Sequence, residues 1–258
     1  MIKVDNISKS FNGTNVLKNV SVNFEEEKTN LIIGQSGSGK TVLLKCIVGL
    51  HEIDQGRVMY DDLEFNKLNF KERKIIQKDI GMVFQGGALF DSSTVEENVK
   101  FPLDMFSDMT EEEKFERVND SLERVNIKNA NSLLPAEISG GMKKRVAIAR
   151  AIVLRPKYLF FDEPISGLDP KTGLLIDRLI KELTEEFKTT TIINTHDMNS
   201  VMEIGDKVVF IHEGTKRWEG SRHEILDSED PELNNFVFAT NLAKEVRDLR
   251  SGYSKSED

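Results

Sequence analysis

Cysteine is almost absent from this chain: Cys46 is the single one among 258 residues. One thiol cannot build an internal disulfide framework, and such a chain fits a reducing compartment. Long hydrophobic runs are also missing, since no stretch approaches the roughly eighteen apolar residues of a spanning helix. The opening MIKVDNISKSF lacks the apolar core of a secretion signal, so none is expected. Positive charge is in deficit: 35 Lys and Arg stand against 44 Asp and Glu, a net charge of −9. That balance argues against broad, non-specific binding to nucleic acid or anionic lipid, and no nucleic-acid partner is expected. It leaves docking onto the protein face of a membrane complex open. No internal repeat or low-complexity tract occurs. What is present is 38% hydrophobic and 31% charged residue, with a mean hydropathy of −0.37. This describes a soluble globular chain, long enough for one large α/β domain or two small ones.

Short β-rich runs alternate with helical patterns. The strands read as Asn30–Gly34, Arg57–Tyr60, Ile80–Phe84, Tyr158–Asp162, Thr190–Asn194 and Lys207–His212. Those beginning at Asn30, Tyr158 and Thr190 are apolar runs, as expected of parallel strands buried on both faces. Lys40–Leu50 reads as a helix directly after the first of them. Asp169-Pro170 supplies an N-cap and a proline at the first helical position, and Ile176, Leu179, Ile180, Leu183 and Phe187 form one apolar stripe behind it. This alternation argues for a doubly wound sheet. From about Glu96 to Lys157 no good strand is found. Thr110–Glu113 is a capping box, followed by Phe115, Val118, Leu122 and Val125 on one helical face. A helical insertion over roughly residues 87–157 is therefore expected inside an α/β domain of residues 1–230. In Pro231–Arg250, the residues Leu233, Phe236, Val237, Leu242, Val246 and Leu249 recur at helical spacing. Residues 231–258 are thus expected to form an appended helical extension with a frayed tail.

Three segments carry chemistry. Gly34-Gln35-Ser36-Gly37-Ser38-Gly39-Lys40-Thr41 matches G-x-x-x-x-G-K-[ST], with a strand before it and a helix after. Its glycines let the backbone curl so that several N–H groups meet one anion, and the helix N-terminus adds its dipole. Lys40 is expected to reach the β- and γ-phosphates and Thr41 to offer its hydroxyl to Mg²⁺. In Tyr158–Glu163 a hydrophobic strand ends in two carboxylates, which suits metal and water chemistry at a sheet edge. Asp162 would hold Mg²⁺ through its water shell, and Glu163 would polarise an attacking water. In Ile138–Arg145, Ser139 is a natural N-cap and Gly140 and Gly141 allow close approach to an anion, a second phosphate-binding helix start. A plain helix cap is the alternative there.

At these segments the sequence resembles the ATP-binding subunits of ABC transporters, over residues 1 to about 225. The resemblance implies an α/β P-loop NTPase with a mixed sheet core. Gly34–Thr41 is similar to the Walker A loop, Tyr158–Glu163 to Walker B, and Ser139-Gly140-Gly141-Met142 to the family signature. Ile138 and Met142 replace the signature's usual first and last residues. By the same resemblance Gln85 is the Q-loop glutamine that reaches Mg²⁺ and the attacking water. Ser166–Asp169 is the D-loop, and His196 is the switch histidine that contacts the γ-phosphate. Phe11 stands where the family stacks an aromatic on adenine, and Val16 joins it in the nucleotide-binding set. Catalysis is thus expected from Glu163, His196 and Gln85. Phosphate binding is expected from Gly34, Gln35, Ser36, Gly37, Ser38, Gly39, Lys40 and Thr41, and metal binding from Thr41, Gln85 and Asp162. Taken singly, His196 reads as a loop histidine, and for Phe11 a core aromatic is the alternative to stacking. Cys46 reads as a buried small hydrophobe.

The resemblance further implies a head-to-tail dimer, in which Ser139–Met142 and Asp169 of one copy close over ATP held by the other. A narrower likeness follows Gln85. Gly86–Val95, then Glu97-Asn98-Val99 and Phe101-Pro102-Leu103, are similar to the ATPase of Mla or MCE-type systems, which move phospholipid between inner and outer membranes. That implies a motor on the cytoplasmic face of the inner membrane with a permease partner, an MCE-type lipid-binding protein and a small regulatory subunit. Leu89 and Phe90 are expected to contact the permease. The alternatives are the ATPase of an amino-acid-type importer and a soluble ABC ATPase outside transport.

Overall fold

The computed structural model describes residues 1–239. Strands β1 (Ile2–Phe11) and β2 (Thr14–Phe24) form a long hairpin, and β3 (Thr29–Ile33) feeds helix α1 (Lys40–Ile47). Strands β4 (Gln55–Tyr60) and β5 (Leu63–Glu64) pair, and α2 (Phe70–Lys78) leads to β6 (Ile80–Val83). Helices α3 (Val95–Phe106), α4 (Glu111–Arg124) and α5 (Gly140–Ile152) follow with no strand between them. The chain then runs through β7 (Tyr158–Asp162), α6 (Pro170–Phe187), β8 (Thr190–Thr195), α7 (Met198–Ile204), β9 (Lys207–His212), β10 (Thr215–Gly220) and α8 (Pro231–Val237).

The larger sheet has the order β10-β9-β3-β8-β7-β6. All its neighbours are parallel except β10, which runs antiparallel to β9, so the sheet is mixed. A second, antiparallel sheet has the order β2-β1-β4-β5. Alternate residues of the central strands enter two separate cores. Leu31, Ile33, Leu159, Phe161, Ile193, Val208 and Phe210 pack with the helices from α3 onward. Ile32, Phe160, Ile192, Val209 and Ile211 pack with α1 and the β1–β2 hairpin. Both faces are covered, and that is why these strands are continuous apolar runs. Register then sets the site: Asp162 pairs with Asn194, and Ile33 with Thr195, so β3, β7 and β8 end side by side.

Several expectations need correction. The strands β1, β2 and β10 were not expected from the sequence. In β1 the apolar positions Ile2 and Val4 shift to Ile7 across an irregularity at Asn6, whose φ is 52°. The bulge changes parity and erases the period of two. The helix expected over Lys40–Leu50 ends at Ile47, because Gly49 adopts φ +81° and terminates it. Phe115 does not join the buried face of α4; it is 51% exposed. In α8, Leu233 and Val237 are buried in this chain's own core and Phe236 packs against it. That stripe therefore covers the chain's own domain and is not left over for a partner. Leu242, Val246 and Leu249 lie outside the described residues.

Candidate nucleotide site

The phosphate loop begins where β3 ends. Gly34 has φ +149°, and a Cβ there would lie 2.2 Å from the Ile211 carbonyl oxygen, so only glycine fits. Gly37, at φ +82°, faces open space. No side chain caps α1. Its first-turn N–H groups are therefore left for an anion, which fits a phosphate. The loop is tied down from below by Ser38 N–H donating to Gln35 O at 3.1 Å and Gly214 N–H donating to Ser38 O at 3.0 Å. Ser38 Oγ is buried without a partner.

Lys40 is buried, and its ammonium donates to Gly34 O at 2.8 Å and Gln35 O at 3.0 Å. Burial lowers its pKa from the ordinary lysine value, while Glu163 and Asp162 pull it back up. Thr41 Oγ1 donates to Asp162 Oδ1 at 3.0 Å. The hydroxyl and the carboxylate expected to serve one metal ion are thus in contact. Two protein oxygens beside a phosphate cradle fit Mg²⁺, which keeps several waters and takes substrate phosphates as ligands. Among the described residues no group of three or more His, Cys, Asp or Glu could hold a metal by itself.

Glu163 follows Asp162 in a left-handed conformation, φ 51°, with its N–H bonded to Asn194 O at 2.9 Å. Both oxygens of its carboxylate approach His196 Nδ1, at 2.9 and 2.8 Å. Its side chain is 12% exposed, that of His196 62%. Such a sheltered carboxylate beside an exposed imidazole can orient a water and sense what occupies the site. Gln85 is exposed. Its Nε2 donates to Ser166 Oγ at 3.4 Å, and its backbone carbonyl accepts from Lys144 Nζ. Val16, the loop, Lys40, Thr41, Gln85, Glu163 and His196 line one cavity of about 760 Å³.

Other expected residues stand outside that cavity. Phe11 is 38% exposed, with its ring edge-on to His51 at 5.2 Å, so it is not a core aromatic. Ser139 Oγ accepts from Met142 N–H at 3.2 Å and caps α5. Asp169 caps α6 through Thr172 N–H at 3.0 Å. Asp169 lines a second cavity of about 600 Å³, which shares Glu163 and His196 with the first. Within one chain, then, Ser139–Met142 and Asp169 do not meet the phosphate loop.

Residues 17–166 match the family model described as ABC transporter. The chain belongs to that family. It is similar to the methionine import ATP-binding protein MetN of Clostridium tetani, 36% identical over 244 residues, covering 89% of this chain and 76% of MetN. It is likewise similar to the intermembrane phospholipid transport system ATP-binding protein MlaF of Haemophilus influenzae. That identity is 35% over 237 residues, 92% of this chain and 90% of MlaF. Among solved structures, it resembles the ATP-binding cassette MJ0796 in a dimeric post-hydrolysis state bound to ADP and Pi. The TM-score is 0.79 at 33% identity, over 86% of this chain and 99% of that one. The chain is an ABC ATPase, the motor component of a transporter.

Three features of this ABC ATPase were not anticipated. Asn194 of β8 donates to both Thr41 and Asp162. Its signal was a lone amide closing an apolar strand, TIIN. Lys144 is buried on α5, where burial lowers its pKa against the opposing pull of Glu163 and Asp162. It ties the helix that follows the signature to the backbone of Gln85. Asn235, Phe236 and Ala239 line the nucleotide cavity from the C-terminal side; Phe236 belongs to the apolar stripe legible in the sequence, but nothing in that stripe points to the cavity. Cys46 is buried and its thiol is pushed up to about 12 by that burial, as suits a small core residue.

Proposed function

We propose that this ABC ATPase hydrolyses MgATP in a dimer of two copies and drives phospholipid transport through a membrane permease. The observation that carries the catalytic part is the convergence of Lys40, the Thr41–Asp162 pair and the His196-held Glu163 on one cavity. Lys40 and the loop N–H groups would bind the phosphates. Thr41, Asp162 and Gln85 would hold Mg²⁺, whose charge offsets that developing on the phosphates. Glu163 would take the proton of an attacking water, and His196 would couple its carboxylate to the occupied site. Val16 and Phe11 would receive the adenine. Ser139, Gly140, Gly141, Met142 and Asp169, which do not reach the loop in their own chain, would complete the site of the second copy.

Support for the lipid reading comes from the surface after Gln85. Phe90 and Phe101 are each 43% exposed and stack edge-on at 4.9 Å. With Phe84, Pro102 and Phe106 they line an apolar groove of about 280 Å³, and the Arg150 guanidinium lies 5.8 Å from the Phe90 ring. Leu89 instead packs half-buried on the core, so Phe90 and Phe101 would be the pair that faces the permease. MlaF, which matches most of both chains, is named for intermembrane phospholipid transport. Among the described residues no helix is long and apolar enough to cross a membrane. Docking at the cytoplasmic face of the inner membrane through that groove would therefore supply the membrane contact, with an MCE-type protein and a small regulatory subunit as further partners. We place the helical part at about residues 87–157 of the domain expected over residues 1–230, to which α8 adds its buried Leu233 and Val237.

A second reading, import of methionine or another amino acid, is favoured by the MetN relatives at comparable identity. One experiment separates the two: purify the complex through a tag on this chain and extract its bound small molecules. Phospholipid, with ATPase activity that depends on the membrane subunits, is the expected result. An amino-acid-binding partner without lipid would assign the chain to import.

A further inference from the structure

We propose that Asn194 is a positioning residue for the metal-ligand pair Thr41 and Asp162, fixing which lone pairs those groups present to a divalent cation. The inference rests on the nucleotide reading above and adds a residue that lies in none of the three phosphate and metal motifs.

Every residue of β8 is buried, and its middle residues Ile192 and Ile193 pack into the two cores. At position 194 an amide stands where an aliphatic side chain would suit a strand covered on both faces. Its Nδ2 donates to Asp162 Oδ1 at 2.5 Å and to Thr41 Oγ1 at 3.0 Å. Thr41 Oγ1 in turn donates to the same Asp162 oxygen at 3.0 Å. The orientation of the amide is forced, because a carboxylate only accepts; turned over, the amide would set oxygen against oxygen. The consequence is visible on the other side, where Asn194 Oδ1 is buried with no partner. An unmade hydrogen bond of this kind is retained against a cost in stability, which points to a benefit elsewhere.

That benefit follows from counting protons. A hydroxyl has one proton and two lone pairs. The proton of Thr41 is committed to Asp162, and one lone pair takes the Asn194 N–H. A single lone pair is left for a cation. Both bonds to Asp162 fall on Oδ1, which leaves Oδ2 for the water shell of the ion. Without the amide only the Thr41–Asp162 bond holds the pair, and the two together are free to turn. Mg²⁺ demands near-ideal octahedral geometry, so misaimed ligands weaken it sharply. Outer partners of this type change metal affinity by about 10–100-fold.

The test compares the full chain with Asn194→Val, similar in size but without donors. Affinity for a fluorescent ATP analogue is measured in EDTA and in saturating Mg²⁺, together with the melting temperature. The expected result is unchanged affinity in EDTA, a gain from Mg²⁺ cut by about 10-fold or more, and a melting temperature equal or higher because the orphaned acceptor is gone. Asn194→Ala, which leaves a small void and creates no clash, should show the same loss of Mg²⁺ response. A lower melting temperature with the full Mg²⁺ gain in either variant would make Asn194 a structural strand residue and overturn the proposal. If the parent chain itself gains nothing from Mg²⁺, the nucleotide reading falls, and this inference falls with it.

Discussion

The two regions proposed to bind phosphate are built to opposite standards. Around the loop after β3, Lys40, Asp162 and Asn194 are buried and bonded to one another or to the loop backbone. At the start of α5, Ser139 and Gly140 are exposed, and the Ser139 hydroxyl is occupied in capping its own helix. Asp169 is likewise exposed and bound to its own helix start. The first region is already bonded together within one chain, whereas on the proposed function the second would be completed by another copy. Preorganisation is expensive in burial but yields a fixed electrostatic environment. An exposed helix start can be completed and released in each cycle. On the proposed function, the difference would put chemistry in the first region and timing in the second.

Breaking the assembled side should have the largest effect. Glu163→Gln keeps the shape and the His196 neighbour but removes the base. Turnover of the purified complex should fall by about two to four decades, while MgATP still binds and size-exclusion chromatography shows an ATP-held dimer. Parental turnover in that variant would remove Glu163 from the chemistry.

Next comes a cost located beside the D-loop. Asp177 on α6 is buried and takes one hydrogen bond, from Ser200, while its Oδ1 has no partner. Burial raises its pKa from 3.8 to about 6, with Asp197 and Glu203 adding to the rise and the Ser200 bond opposing it. The folded state therefore holds this proton more tightly than the unfolded one. Below pH about 4 the carboxyl is neutral in both states and costs nothing. The penalty grows as pH rises through about 6 and is complete at neutral pH. Asp177→Asn should accordingly match the parent near pH 4 and be more stable at pH 7.5, by up to about 3 kcal/mol. Urea unfolding at the two values checks this; equal stability of the two chains at pH 7.5 would show that the carboxylate is solvated in solution.

The smallest effect tests the base side. Phe11→Tyr should be nearly silent, and Phe11→Ala should raise the KM for ATP several-fold or more, because an aromatic face contributes about 1–3 kcal/mol of stacking with a base. Unchanged nucleotide affinity in Phe11→Ala would take the stacking role from Phe11, with Phe236 on the cavity wall the next aromatic to test.

Much of the first region was legible in the sequence. Glycine spacing between an apolar strand and a helix start is a local property, and so is a strand that ends in two carboxylates. The β1–β2 hairpin was not legible, since the bulge at Asn6 breaks the alternation on which a strand is recognised. Asn194 was hidden for another reason: its role comes from a register that pairs it with Asp162, thirty-two positions away in sequence. The apolar stripe of α8 was visible, but a stripe looks the same whether it covers its own core or a neighbour's. Leu89 and Phe90 are adjacent and both apolar, and only the fold separates the packed one from the exposed one.

On the proposed function, the exposed signature of one copy closes over the phosphate loop of another. Cross-linking tests it most directly. Ser36 on the loop and Ser139 on the signature are both exposed, and each can carry a cysteine in one Glu163→Gln chain. Cys46 stays silent, because its thiol is buried and held up to about 12. With a short bismaleimide a covalent dimer should form with MgATP and not without it, and neither single-cysteine chain should give it alone. ATP-held dimers that resist cross-linking, or a bridge formed within one chain, would contradict it.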